Sequence, residues 1–133
     1  SDMTRTFCIG KPSKKIFEVF SVLYEAHLAA LDAATAGIGA AQLDAAARDV
    51  ITKAGYGDYF RHSLGHGLGY EVHEWPRISY ANKTETIPAN CVITIEPGIY
   101  LPGEFGMRIE DDVVVTTGAA SILTTAPREL VVV

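Results

Sequence analysis

At 133 residues the chain has the length of one domain or part of one, enough for a hydrophobic core. Its 48% hydrophobic content is ordinary for a globular protein, and its net charge of −5 argues against general nucleic-acid binding, which depends on basic patches that neutralise phosphates. No apolar run approaches bilayer length, and no basic-then-apolar leader opens the sequence.

Met3 to Ile9 is rich in strand formers and ends at Gly10, which predicts a strand. Pro12-Ser13 then opens a helix expected to run from Pro12 to about Thr35, with Ser13 as N-cap and Gly37-Ile38-Gly39 as its end. Ile16, Phe17, Phe20, Val22, Leu23, Ala26, Leu28 and Leu31 recur at helical spacing. His27 lies within this helix and reads as a packing or surface residue. A second helix fits Ala41 to Ala54, with Leu43, Ala46, Ala47, Val50 and Ile51 on one face and Gly55 and Gly57 closing it. The polar stretch from Ser79 to Thr86 reads as a loop. Val92 to Ile95 is a short strand running into Glu96-Pro97-Gly98, and Met107 to Thr116 is another, with a turn at Gly118 before Ile122-Leu123-Thr124. Helices come first and strands follow, with no internal repeat, so the expected class is α+β with antiparallel pairing. Cys8 and Cys91 form no CxxC signature and suggest free buried thiols in a reducing cytoplasm rather than a disulfide.

Three of the four histidines fall between the second helix and the polar loop, in His62-Ser63-Leu64-Gly65-His66-Gly67-Leu68-Gly69-Tyr70-Glu71-Val72-His73-Glu74-Trp75-Pro76. An imidazole set between glycines suits a catalytic cleft: histidine binds metals and exchanges protons near neutral pH, and glycine lets backbone approach a ligand closely. The plainer alternative is three unrelated loop histidines. Glu96 follows an apolar strand, where a carboxylate is costly unless it is paired, hydrogen-bonded or metal-bound. In the next strand, period-two geometry places Arg108, Glu110 and Asp112 on one face, which is equally the pattern of a solvated strand face with an Arg–Glu pair. His66, Glu96 and Glu110 form an N/O donor set, with Asp2 as a fourth candidate. Such a set suits Mn²⁺, with Zn²⁺ or Co²⁺ as alternatives.

Taken together and in order, several pieces resemble the pita-bread (M24-type, creatinase/aminopeptidase-like) metallopeptidases, in particular their Xaa-Pro branch of prolidase and aminopeptidase P. They are Ser1-Asp2-Met3-Thr4-Arg5-Thr6-Phe7, Gly65-His66-Gly67-Leu68-Gly69, Val72-His73-Glu74-Trp75-Pro76, Thr94-Ile95-Glu96-Pro97-Gly98-Ile99-Tyr100, Arg108-Ile109-Glu110-Asp111 and the closing Leu123 to Leu130. The resemblance implies that Asp2, His66, Glu96 and Glu110 ligate metal, with Asp2 and Glu110 bridging two ions in a complete enzyme. It implies that His73 holds the substrate near the scissile carbonyl, that His62 contacts the substrate region, and that Arg108 organises the cleft and the bridging Glu. Methionine aminopeptidases share the metal set, but Arg108 and His62 fit the proline-specific branch better.

Members of that family carry a further metal-binding Asp upstream, another histidine and a preceding half-domain. The chain, which opens at Ser1-Asp2, therefore reads as residues 1–133 of a C-terminal half: two helices on a curved, mainly antiparallel sheet, trimmed or incomplete, holding at most one metal tightly. The expected substrate is a proline-containing dipeptide or short peptide, cleaved before proline. The expected partners are the missing N-terminal half or a companion fragment, and further copies of the chain, with neither nucleic acid nor membrane. Competing readings are a non-catalytic peptide- or protein-binding module, an inactive fragment of the peptidase, and metal-free amidinohydrolase chemistry on the same fold. An intact four-ligand set counts against the first and the last.

Overall fold

The computed structural model describes residues 1–133. Helix α1 spans Lys14–Ala33 and α2 spans Ala40–Lys53, each within a few residues of the span that periodicity predicts. Ser13 caps α1, its hydroxyl accepting from the amide of Ile16, a contact of about 1 kcal/mol. At the start of α2 the side chain of Gln42 reaches back to the amide of Gly39. Val19, Phe20, Leu23, Ala26, Ala30 and Leu31 bury one face of α1; Ala40, Leu43, Ala47 and Ile51 bury one face of α2. Phe17 and Leu28, which the apolar spacing would also place inward, are exposed.

The strands are β1 (Phe7–Cys8), β2 (Gly65–Gly67), β3 (Glu74–Ile78), β4 (Val92–Ile95), β5 (Gly98–Leu101), β6 (Phe105–Arg108), β7 (Asp111–Val114), β8 (Ser121–Ile122) and β9 (Val131–Val132). The main sheet has the order β3-β2-β4-β7-β8 and every pairing in it is antiparallel. β5 and β6 form a separate antiparallel hairpin. The helices pack on each other, with α1 against β4, β5 and β6 and α2 against β3. Leu23, Leu43, Ile51, Leu64, Ile93, Ile95, Ile109 and Val113 share one fully buried core between helices and strands.

Two expectations need correction. Met3–Ile9 is not one strand: only Phe7–Cys8 is, and it pairs in parallel with β9. Residues 2–6 instead run beside 108–112, where side chains replace most ladder bonds. Thr6 Oγ1 donates to the carbonyl of Arg108, the amide of Asp2 donates to Asp112 Oδ2, and one backbone bridge joins Thr4 to Glu110. Met107–Thr116 is likewise broken, because its partner changes midway. β6 pairs with β5, β7 pairs with β4, and the amide of Ile109 between them turns to the carbonyl of Pro97.

Candidate metal centre

His66 sits in β2, an inner strand flanked by β3 and β4. Its glycine neighbours are required by close approach. A β-carbon on Gly65 would lie 2.0 Å from the carbonyl oxygen of Thr94, and one on Gly67 would lie 2.1 Å from that of Trp75. The ring is oriented by its own backbone: Nδ1 stands 2.9 Å from the carbonyl of Gly67 and, since a carbonyl only accepts, carries the hydrogen. Nε2 is thereby turned toward Glu96 Oε1 at 3.1 Å and Asp2 Oδ2 at 3.8 Å.

One ligand atom each from Asp2, His66 and Glu110 lie within 4.8 Å of one another. Glu96, which follows β4, joins through its contact with His66. Glu110 is almost fully buried, and its Oε2 accepts from Thr4 Oγ1 at 2.5 Å. The cation nearest these carboxylates is Arg108. Its guanidinium is 3.6 Å from Glu110 Oε2 and 3.8 Å from Glu96 Oε2, while its Nε donates to Thr4 Oγ1 at 2.9 Å. The crowding shows in protonation. Burial, and then the charge of Glu110, push the Glu96 carboxyl above its ordinary value. Burial also raises Glu110, against the Thr4 hydrogen bond that lowers it and with Asp2 adding to the rise. Three carboxylates and an imidazole lone pair are all acceptors, so only a proton or a cation between them relieves the repulsion. That donor set fits a hard or borderline divalent cation.

A cleft of about 630 Å³ opens beside this cluster, lined by His62, His66, His73, Glu96 and Arg108 among others. His73 is exposed there, its ring centroid 4.3 Å from that of His66. His62 stands further along: Nδ1 is 2.9 Å from the carbonyl of Ser63, and Nε2 is 2.8 Å from the Tyr100 hydroxyl. Since Nδ1 faces a carbonyl and carries the hydrogen, neutral His62 accepts from Tyr100 through Nε2.

Sequence reasoning passed over four residues. Thr94 is buried between the amide of His66, which it accepts at 3.1 Å, and Glu96 Oε1, to which it donates at 3.1 Å. A hydroxyl two residues before Glu96 in an apolar strand is the signal that would have found it. Thr4 joins Glu110 to Arg108, and Tyr100 holds His62. Asp44, buried in α2, accepts from the amide of Leu64 and pairs with Arg48, which donates to the carbonyls of Phe60 and His62. The segment that leads into β2 is thus pinned from α2, and no local pattern announces it.

The model of metallopeptidase family M24 matches residues 1–117. An Xaa-Pro dipeptidase of Pyrococcus furiosus is 51% identical over 130 residues, which is 98% of this chain and 37% of that protein. Among solved structures, an X-Pro aminopeptidase from Thermotoga maritima superposes with a TM-score of 0.95 at 51% identity, covering all of this chain and 38% of its own. An Xaa-Pro dipeptidase from Bacillus anthracis superposes with a TM-score of 0.97 at 43% identity, over all of this chain and 37% of that one. The two helices on a mostly antiparallel sheet are thus the corresponding part of the pita-bread fold, and the chain spans little more than a third of the length of these relatives.

Proposed function

Because the chain belongs to metallopeptidase family M24, we propose that it is the C-terminal part of a metal-dependent Xaa-Pro dipeptidase or aminopeptidase that hydrolyses the peptide bond before proline. The observation that carries this reading is the convergence of Asp2, His66 and Glu110, with Glu96 against His66, beside a cleft lined by histidine and arginine. The relatives' names, Xaa-Pro dipeptidase and X-Pro aminopeptidase, support the proline specificity.

Asp2, His66, Glu96 and Glu110 would hold the cation. When bound, a divalent ion polarises a carbonyl and lowers the pKa of water, which is the chemistry an amide hydrolase needs. Mn²⁺ suits this carboxylate-rich set best, and Co²⁺ and Zn²⁺ are also compatible with it. The complete enzyme holds two ions; the four donors here complete at most one tight site. The chain's own residues do the remaining work. His73, exposed in the cleft beside His66, donates a hydrogen bond to the substrate carbonyl oxygen. His62, fixed by Ser63 and Tyr100, contacts the substrate. Arg108 keeps Glu110 in place through Thr4 and offsets part of its charge. The substrate is a dipeptide or short peptide with proline in second position. The remaining half of the fold is the main partner, and further copies of the chain are another. Two free thiols favour the cytoplasm, and no helix is long and apolar enough to cross a membrane.

Titrating the purified chain with Mn²⁺ and assaying the full-length protein test the two parts of this reading. At most one tight Mn²⁺ per chain is expected, lost in Glu110→Gln, with full-length activity on Xaa-Pro but not Xaa-Ala dipeptides. A chain that binds no Mn²⁺, or whose binding survives His66→Ala unchanged, defeats the metal centre; equal turnover of both dipeptides defeats the specificity.

A further inference from the structure

Asp111 follows Glu110 directly, and strand alternation sends its side chain to the opposite face. There it is fully buried and met by four donors. They are Arg5 Nη2 at 2.7 Å, His27 Nε2 at 2.9 Å, Thr124 Oγ1 at 2.5 Å and Arg128 Nε. Burial alone would raise this carboxyl, but hydrogen bonds from His27, Thr124, Arg128 and Arg5 hold it well below the usual carboxylate range. Arg5 reaches further. Nη1 donates to the carbonyls of Thr4 at 2.9 Å and Glu110 at 2.7 Å, Nη2 to that of Ala126 at 2.8 Å, and Nε to that of Pro127 at 2.8 Å.

One guanidinium and one carboxylate therefore stitch four segments together: residues 2–5 with Asp2, α1 through His27, residues 110–111 with Glu110, and the tail 124–128. Stability alone is a weak reason for such a cluster, because a buried ion network repays its desolvation poorly and apolar packing often serves as well. What the network does fix is the spacing of two carboxylate-bearing segments whose charges repel each other. The amide of Glu110 donates to the carbonyl of Thr4 at 3.1 Å, between the two attachment points of Arg5.

We propose that Arg5, Asp111 and the Thr124–Arg128 tail form a strap that positions Asp2 and Glu110 for cation binding, an inference that rests on the metal-centre reading above. None of the three is among the residues that would hold the cation; they are positioning residues, and the segment 124–128 becomes a determinant of metal affinity.

Two variants of the chain test this by two measurements, calorimetric titration with Mn²⁺ and hydrogen exchange of the Glu110 amide in metal-free protein. Arg5→Lys keeps the charge but loses the fork; Thr124→Val removes only the tail's hydroxyl from Asp111. Ile51→Val, in the core under α2, serves as a control for general destabilisation. Partners that orient ligands are typically worth about 10–100-fold in metal affinity, so Arg5→Lys should weaken Mn²⁺ binding by at least about tenfold. Thr124→Val should weaken it less, and the Glu110 amide should exchange faster in both but not in the control. Unchanged affinity in Arg5→Lys overturns the strap, whatever exchange shows. Should the unsubstituted chain bind no Mn²⁺, the metal-centre reading fails and the strap's role in cation binding falls with it; a chain that binds Mn²⁺ while Arg5→Lys binds it equally well overturns the strap alone.

Discussion

Glu96 and Glu110 hold protons more tightly than ordinary carboxyls, because burial disfavours the charged form and a neighbouring carboxylate adds to it, Glu110 for Glu96 and Asp2 for Glu110. For acids raised in the folded state, the stabilising contribution is full below the unfolded value, roughly 4.3, and is lost as pH rises through the raised folded values. The metal-free chain thus carries a local electrostatic cost at neutral pH that a cation removes. A cation must also displace those protons, so its binding weakens as pH falls. Melting curves with and without Mn²⁺ at pH 7.5 and pH 5 should show a clearly larger stabilisation at the higher pH; an equal shift would count against these carboxyls as ligands. Buried His27 works in the opposite direction. Burial lowers it, against the Asp111 contact that raises it, so its contribution is present above about 6.5 and fades as pH falls. Roles at the site separate on the same scale. In the full-length enzyme, His73→Ala should leave metal content intact and lower kcat by about 10²–10³-fold, the usual cost of losing a donor to a developing oxyanion. Glu110→Gln should lose metal and activity together. Loss of metal in His73→Ala, or near-normal turnover by it, would reject the assignment of His73 to the substrate.

At the scale of elements, β4 was legible to the residue, because Val92-Ile93-Thr94-Ile95 is an unbroken β-forming run ending at Pro97. The helices were legible because their apolar faces repeat at helical spacing. β2 and β3 were not: Gly-His-Gly has no strand propensity, and Pro76 argues against a strand, yet β4 holds β2 from a distance in sequence and β3 pairs on the edge beside β2. The break between β6 and β7 was equally hidden, since it records a change of partner rather than a change of composition. Asp2, His66, Glu96 and Glu110 stand out as residue types in a family order. Thr4, Thr94, Tyr100 and Asp44 act only through folded contacts. The narrow seat of β2 leads to a prediction. Gly65→Ala sets a methyl against the Thr94 backbone, which cannot yield as a side chain would, and should cost about 3 kcal/mol or more. Denaturant unfolding measures this directly, and a loss below about 1 kcal/mol would mean that β2 sits more loosely between its neighbours than described.

For the molecule as a whole, the region around β1 is the part least able to stand alone. β1 and β9 form a parallel pair of two residues each, too short to be stable by itself and with both outer edges unpaired. Phe7 in β1 and Ile9 just after it are 60% and 91% exposed. Val131 and Val132 of β9, and Val133 after it, are exposed as well. Exposed apolar side chains beside open strand edges invite association with another chain. Because the chain corresponds to little more than a third of its relatives, the rest of the fold is the expected occupant, with a second copy as substitute when that is absent. Light scattering over a range of concentrations should therefore show self-association of the isolated chain. Addition of the complementary half should replace the self-associated form with a one-to-one complex. Placing charge on these exposed positions, Phe7→Lys with Ile9→Lys, should suppress both associations while leaving the helical circular dichroism unchanged, because neither side chain reaches the core. A chain that stays monomeric at high concentration and ignores the complementary half would show that this face is simply solvated surface.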